Sequence, residues 1–183
     1  MQTYIREAVV DDAPALGRIV IAATQTTFRG LVPEQCLAWL TIDESAANWQ
    51  RFLRADDRHD GRFLYVVDDV RDGVVACALG GHQPDESDYH GELYLLHVLP
   101  AYQRHGLGQR LVGHVAARLS QTGIDSLLVR VLSINPNRAF YERLGACFLR
   151  EQPYDWNGII LPEVVYGWRS TARLLEATYS AQL

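Results

Sequence analysis

At 183 residues the chain has the length of one domain with a sizeable core, and its 48% hydrophobic and 21% charged residues are ordinary for a globular protein. A net charge of −5 argues against nucleic acid as the main partner, and no apolar run approaches the ~20 residues needed to cross a membrane. All 17 basic residues are arginine, so the chain has no lysine of its own to be modified.

Residues 3–8 predict a first strand. Asp11 or Asp12 is placed to cap a helix running to about Phe28, with Leu16, Ile19, Val20 and Ala23 on its apolar face. A connector at 29–33 precedes a second helical region, broken around 41–43 and carrying Leu37, Leu40, Trp49 and Phe52. Residues 54–62 read as a charged loop. Residues 63–68 and 74–81 pair as a hairpin across 70–73, and 83–91 is a polar loop. The central strand is expected over 92–99, then a glycine turn, then a helix over 107–122 with Leu111, Val115 and Leu119 as its apolar stripe. A buried strand at 126–132 is broken by Asn135-Pro136. Asn137 caps a short helix over 137–144 that Gly145 stops. The remainder predicts a strand at 147–151, a loop at 152–158, a last strand at 163–169 and a short helix at 171–179.

The turn at 103–108 reads Gln-Arg-His-Gly-Leu-Gly. Between a strand and a helix it leaves unpaired N–H groups at the positive end of the helix dipole, a ready anion site. Gly106 and Gly108 let the backbone close on a phosphate without a Cβ in the way. A Walker loop is excluded because there is no lysine, and a dinucleotide fingerprint because Leu111 stands where its third glycine would be. The segment resembles instead the Arg/Gln-x-x-Gly-x-Gly/Ala pyrophosphate loop of the GNAT superfamily of N-acetyltransferases. A second segment strengthens the resemblance: Asn135-Pro136, followed by Phe-Tyr-Glu-Arg-Leu-Gly at 140–145, matches that family's break and helix at the same distance after the loop.

The resemblance implies an α/β fold across residues 1–183 as a single domain. It implies one mixed sheet of about seven strands, flanked by helices and splayed between the fourth and fifth strands, with acetyl-CoA in the opening. It implies that acetyl-CoA is co-substrate and that Leu96, His97, Val98, Gln103, Arg104, His105, Gly106, Leu107, Gly108, Gln109, Asn135, Arg138 and Tyr141 contact it. A backbone N–H on the central strand, at Val98 or a neighbour, would polarise the thioester. Acetyl transfer to a primary amine needs a base, and Glu92, the carboxylate at the start of the central strand, fills that role; Tyr141 is the matching acid for the leaving thiolate.

By strand alternation Tyr94, Leu96 and Val98 share the face of Glu92, and His97 lies on the opposite one. The acceptor is expected against Phe28, Arg29 and Leu31 in the connector, Tyr94, and Tyr154, Asp155 and Trp156, aromatics with one carboxylate for an amine. The same residues would serve a homodimer contact equally. His82 and His90 border this region, while His59 and His114 read as solvated surface. No His, Asp or Glu spacing suits a metal. Cys36, Cys77 and Cys147 read as reduced core thiols, and with the charged start at residues 1–7 they point to the cytoplasm. Two other classes fit the loop: a non-catalytic acetyl-CoA sensor, and a binder of another phosphorylated ligand.

Overall fold

The computed structural model describes residues 2–54, 61–86 and 88–180. His59 and most of the charged stretch around it lie outside the described residues. Strand β1 (Thr3–Glu7) leads through a 3-10 turn to α1 (Ala13–Phe28), α2 (Glu34–Ala38) and α3 (Ile42–Arg54). Three antiparallel strands follow: β2 (Phe63–Asp69), β3 (Gly73–His82) and β4 (Gly91–Val98). Then come α4 (Leu107–Gln121), β5 (Leu127–Leu132), α5 (Ala139–Arg143), β6 (Cys147–Trp156), β7 (Ile159–Trp168) and α6 (Thr171–Ser180).

The seven strands form one sheet in the order β1-β2-β3-β4-β5-β7-β6. Every neighbour pair is antiparallel except β4–β5, which run parallel over Gly91–Leu127, Glu92–Leu128 and Leu93–Val129. Past Leu93 and Val129 the two strands separate. The sheet is therefore splayed between its fourth and fifth strands, and Leu95–Val98, roughly 13 Å of strand, pairs on the β3 side alone.

Each sheet face has its own core. One face packs on α4, where Leu111, Val115 and Leu119 are buried with Leu93, Val129, Tyr141 and Trp168. The other packs on α1 and α3, where Leu16, Ile19 and Leu53 meet Leu64, Val66 and Cys77. Among the described residues no helix is long and apolar enough to cross a membrane.

Several local expectations are corrected. Asp12 does not cap α1: its own backbone is helical, and its carboxylate takes the Arg6 guanidinium at 2.7 and 2.8 Å and the Val9 N–H at 2.8 Å. Asn137 does not cap α5; the Asn135 side chain instead accepts the Asn137 N–H at 2.9 Å. Gly145 does stop that helix, at φ +83, with its N–H on Glu142 and that of Ala146 on Tyr141, a Schellman closure. The stretch 152–158 is not a loop. It is the outer half of a long β6–β7 hairpin, turned at Asn157 (φ 51) and Gly158 (φ +86). Cys147, read as a core thiol, is exposed at the start of edge strand β6, whereas Cys36 and Cys77 are buried.

The Arg6–Asp12 pair gives a stability prediction. Burial pushes the Asp12 carboxyl up, but Arg6 and the Val9 N–H together pull it below its ordinary value. A depressed carboxyl stabilises the fold at neutral pH, and that stability is lost as pH falls through the folded-state value. Asp12→Asn should lose about 2 kcal/mol at pH 7, and the gap to wild type should close as the medium turns acidic. Urea melts at several pH values check both parts.

Candidate active site

At the end of β4 the chain turns through Pro100–Tyr102 and enters the glycine loop. Gln103 anchors the loop, donating from Nε2 to the Val98 carbonyl at 3.1 Å. Arg104 (φ 65) and Gly106 (φ 77) both adopt left-handed backbone, which folds the loop back onto the helix start. Gly106 is the N-cap of α4, and the first bond within the helix is from Arg110 N–H to Gly106 O at 3.0 Å. The N–H groups of Leu107, Gly108 and Gln109 thus have no carbonyl within their own helix. Arg104 and His105 are exposed beside them, and the helix dipole adds positive potential. A Cβ on Gly108 would stand 3.5 Å from Phe140 and 3.7 Å from Leu96, so this glycine faces the gap between β4 and α5. These features suit a pyrophosphate.

Glu92 lies at the apex of the splay, on the second of the three parallel pairs. It is 4% exposed. Its Oε2 accepts from both Gln83 Nε2 and Arg130 Nη1. Burial pushes the carboxyl up, Arg130 and Gln83 pull it back, and the balance leaves it above its ordinary value. No described residue bonds Oε1, and no buried side-chain oxygen among the described residues is without a partner, so Oε1 opens on accessible space.

The facing of β4 differs from simple alternation. Leu79 pairs with Leu95 and Gly80 with Leu93, which leaves Tyr94 as an extra residue in a β-bulge. The bulge reverses the side-chain parity beyond it. Leu96 and Val98 therefore pack with the α4 core, on the face opposite Glu92. His97, expected on the opposite face, pairs with Cys77 on the same side as Glu92. Surrounding protein pulls its imidazole down to about 4, so it is neutral at pH 7. The backbone is placed differently again. Leu99 N–H bonds Val75 O on β3 at 3.0 Å, so the N–H groups of Val98 and Leu96 point the other way, into the splay.

Tyr141 is buried on α5, with its ring 5.1 Å from Phe140, 6.3 Å from Trp168 and stacked 6.4 Å from Tyr166. Burial pushes its phenol up to about 12. The hydroxyl takes no hydrogen bond from the described residues, and by the same reasoning as for Glu92 it meets accessible space. Asn135 and Arg138 are half-buried at the preceding turn. The Asn135 side chain is partly spent on Asn137.

On the Glu92 face, the expected acceptor residues separate into groups. Phe28 meets Trp156 edge-on at 5.9 Å, and Trp156 meets Tyr154 at 6.5 Å, over Leu132 and Leu161. Leu132 is four residues along β5 from the partner of Glu92, roughly 13 Å. Arg29 instead lines a cavity of about 480 Å³ with Gln25, Val32, Glu34 and Leu37, apart from both the glycine loop and Glu92. Leu31 is exposed. The Tyr94 hydroxyl donates to His82 O at 2.6 Å. Asp155 is not a spare carboxylate, since its Oδ1 accepts the Gly158 N–H at 2.5 Å and closes the hairpin turn. His82, His90, His105 and His114 are exposed, and among the described residues no group of His, Cys, Asp and Glu could hold a metal.

Sequence reasoning missed the residues around Glu92. Arg130 reaches both Glu92 and Glu86, Arg150 also binds Glu86, and Gln152 donates to buried Glu163 at 2.9 Å. Arg130 stands alone among aliphatic residues in Leu127–Leu132, and a charge inside an apolar strand signals a buried partner.

The comparisons agree with this geometry. The model of the Acetyltransferase (GNAT) family matches residues 28–146, which include the splay, the glycine loop and α5. An uncharacterized N-acetyltransferase of Bacillus subtilis, YuaI, is 28% identical over 172 residues, covering 93% of this chain and 95% of its own. Among solved structures, the PaiA N-acetyltransferase of Thermoplasma acidophilum in complex with coenzyme A superposes with a TM-score of 0.69 at 16% identity, covering 89% of this chain and 98% of that one. The ribosomal-protein-S18-alanine N-acetyltransferase of Escherichia coli gives 0.62 at 21%, covering 91% and 92%. With the family model spanning most of the sheet and the whole loop, the chain belongs to the GNAT family and is an acetyl-CoA-dependent N-acetyltransferase.

Proposed function

We propose that the enzyme moves the acetyl group to a primary amine by direct attack in a ternary complex, with Glu92 as base and Tyr141 as the donor to the departing sulfur. The observation that carries this reading is Glu92 itself. It is a buried carboxylate at the apex of the splay, fixed through Oε2 and free at Oε1. Acetyl-CoA, when bound, supplies the thioester. Leu107, Gly108 and Gln109 N–H, with Arg104, His105 and Arg138 nearby, would hold its pyrophosphate; Asn135 would meet the pantetheine arm. The N–H groups of Val98 and Leu96, already turned into the splay, are placed for the charge that develops on the thioester oxygen. Glu92 Oε1 takes the proton of the incoming amine, directly or through water. The Phe28–Tyr154–Trp156 cluster lies about 13 Å from the level of Glu92, which favours an acceptor long enough to set an apolar end there and its amine at Glu92.

An acceptor screen following free CoA release tests this. It should include 4-phenylbutylamine, short alkylamines and peptides with free N-termini. Turnover is expected with primary amines and absent with alcohols of the same shape, and release of CoA with none of these amines would overturn the primary-amine reading.

The loop assignment has its own test. In Gly108→Asp the new Cβ meets its neighbours at ordinary distances, and a carboxylate in the first turn suits the helix dipole, so the variant should fold. The same carboxylate opposes a pyrophosphate. Acetyl-CoA affinity should fall at least tenfold, about 1.4 kcal/mol, by isothermal titration. Unchanged affinity in the folded variant would place the anion elsewhere.

A further inference from the structure

Arg130 follows the last residue of the β4–β5 ladder, where the strands part. Its neighbours in β5 are aliphatic and buried, and bringing a guanidinium there costs desolvation. The charge is held by two carboxylates: Nη1 on Glu92 Oε2, and Nη2 on Glu86 Oε1 at 3.5 Å. Glu86 also takes Arg150 from β6. The result is an alternating chain, Glu92–Arg130–Glu86–Arg150, that crosses from the central strand over β5 to the edge of the sheet. A buried ion pair is weak evidence for stability, because apolar residues of the same volume serve as well. What this pair does specifically is occupy one oxygen of Glu92 and leave the other.

We propose that Arg130 is a positioning residue of the reaction: it grips Oε2 of Glu92 and turns Oε1 to the acceptor amine, while Glu86, bound to the same guanidinium, tempers its grip. This rests on the reading of Glu92 as base. The groups that face Glu92 are Arg130 from β5, Gln83 from the end of β3 and Glu163 from β7, with Glu86 and Arg150 behind Arg130. Burial and Glu163 disfavour the charged form, and Arg130 is the cation that opposes them. The two carboxylates compete for one guanidinium, so removing Arg130 and removing Glu86 should act on Glu92 with opposite sign.

The experiment compares Arg130→Gln, Arg130→Lys and Glu86→Gln with wild type. The Glu92 carboxyl is titrated by ¹³C NMR in glutamate-labelled protein, its signal assigned by its loss in Glu92→Gln. The pH dependence of kcat/KM is measured in parallel with 4-phenylbutylamine. Arg130→Gln should raise the Glu92 midpoint by at least about one pH unit, Arg130→Lys by less than half as much, and Glu86→Gln should lower it. The acid limb of kcat/KM should follow in both directions, with acetyl-CoA Kd held within about threefold. A midpoint that stays put, or one that moves while the acid limb does not, overturns the inference. If Arg130→Gln does not fold, Glu86→Gln decides alone, since Glu86 is a half-buried loop residue and an unmoved midpoint there is equally fatal. Failure of the base reading looks different: Glu92→Gln itself would then keep the wild-type profile. A profile abolished in Glu92→Gln yet unmoved in the other variants defeats the positioning role alone.

Discussion

Glu92→Gln is expected to lower kcat/KM at pH 7 by on the order of 10²- to 10⁴-fold, the range of general-base catalysis. The amide keeps the shape of the carboxylate and can still accept from Arg130 or Gln83, so acetyl-CoA affinity should hardly change. At high pH the acceptor amine is neutral without help, and part of the lost rate should return. The same variant should be at least as stable as wild type at neutral pH. Burial sets the Glu92 carboxyl above its ordinary value, so its ionised form in the folded protein costs stability once pH exceeds the unfolded-state value. The stability gap between variant and wild type should therefore narrow as pH falls, as it does for Asp12→Asn, but here the variant is the more stable of the two. Pre-steady-state acetyl transfer and melts across pH give both readings. Wild-type turnover at all pH values would assign the base elsewhere.

Tyr141→Phe should lower kcat about 10- to 100-fold, with acetyl-CoA Kd near wild type. The magnitude follows from the chemistry. A phenol pushed up to about 12 stays protonated at every working pH. Full transfer of its proton to a thiolate of ordinary basicity, near 8.5, is uphill by roughly 5 kcal/mol. In the proposed role it would supply a hydrogen bond to developing charge on sulfur, worth about 1.5–3 kcal/mol. Thioesters of more acidic thiols need that bond less and should suffer less from the substitution. A loss of cofactor affinity with kcat intact would make Tyr141 a packing residue among Phe140, Tyr166 and Trp168.

The parts of the fold that were legible carry local signals. Gly106, the Asn135-Pro136 break and Gly145 each dictate backbone where they stand, and the structure has a turn or helix end at each. The face of Leu96, Val98 and His97 was not legible, because one extra residue at Tyr94 reverses the parity of everything after it and nothing in the run Gly91–Val98 marks a bulge. The outer β6–β7 hairpin was legible in principle. Asn157-Gly158 is the strongest short hairpin signal, but Gln152, Pro153 and Asp155 read as loop, and they are tolerated because β6 is the sheet edge. The ion-pair chain around Glu92 joins residues 86, 92, 130 and 150, with Gln83 hydrogen-bonded to Glu92, and only the folded chain brings them together.

Mechanically, the sheet is two plates, one of four strands and one of three, sharing a seam of three ladder steps. That seam is the shortest ladder of the sheet, since the pairs within each plate run over five or more residues. A ligand wedged between the plates replaces the missing steps and makes them one body. The melting temperature of the enzyme then becomes a gauge of how much of the seam is filled, rising with the logarithm of acetyl-CoA concentration once the ligand exceeds its dissociation constant.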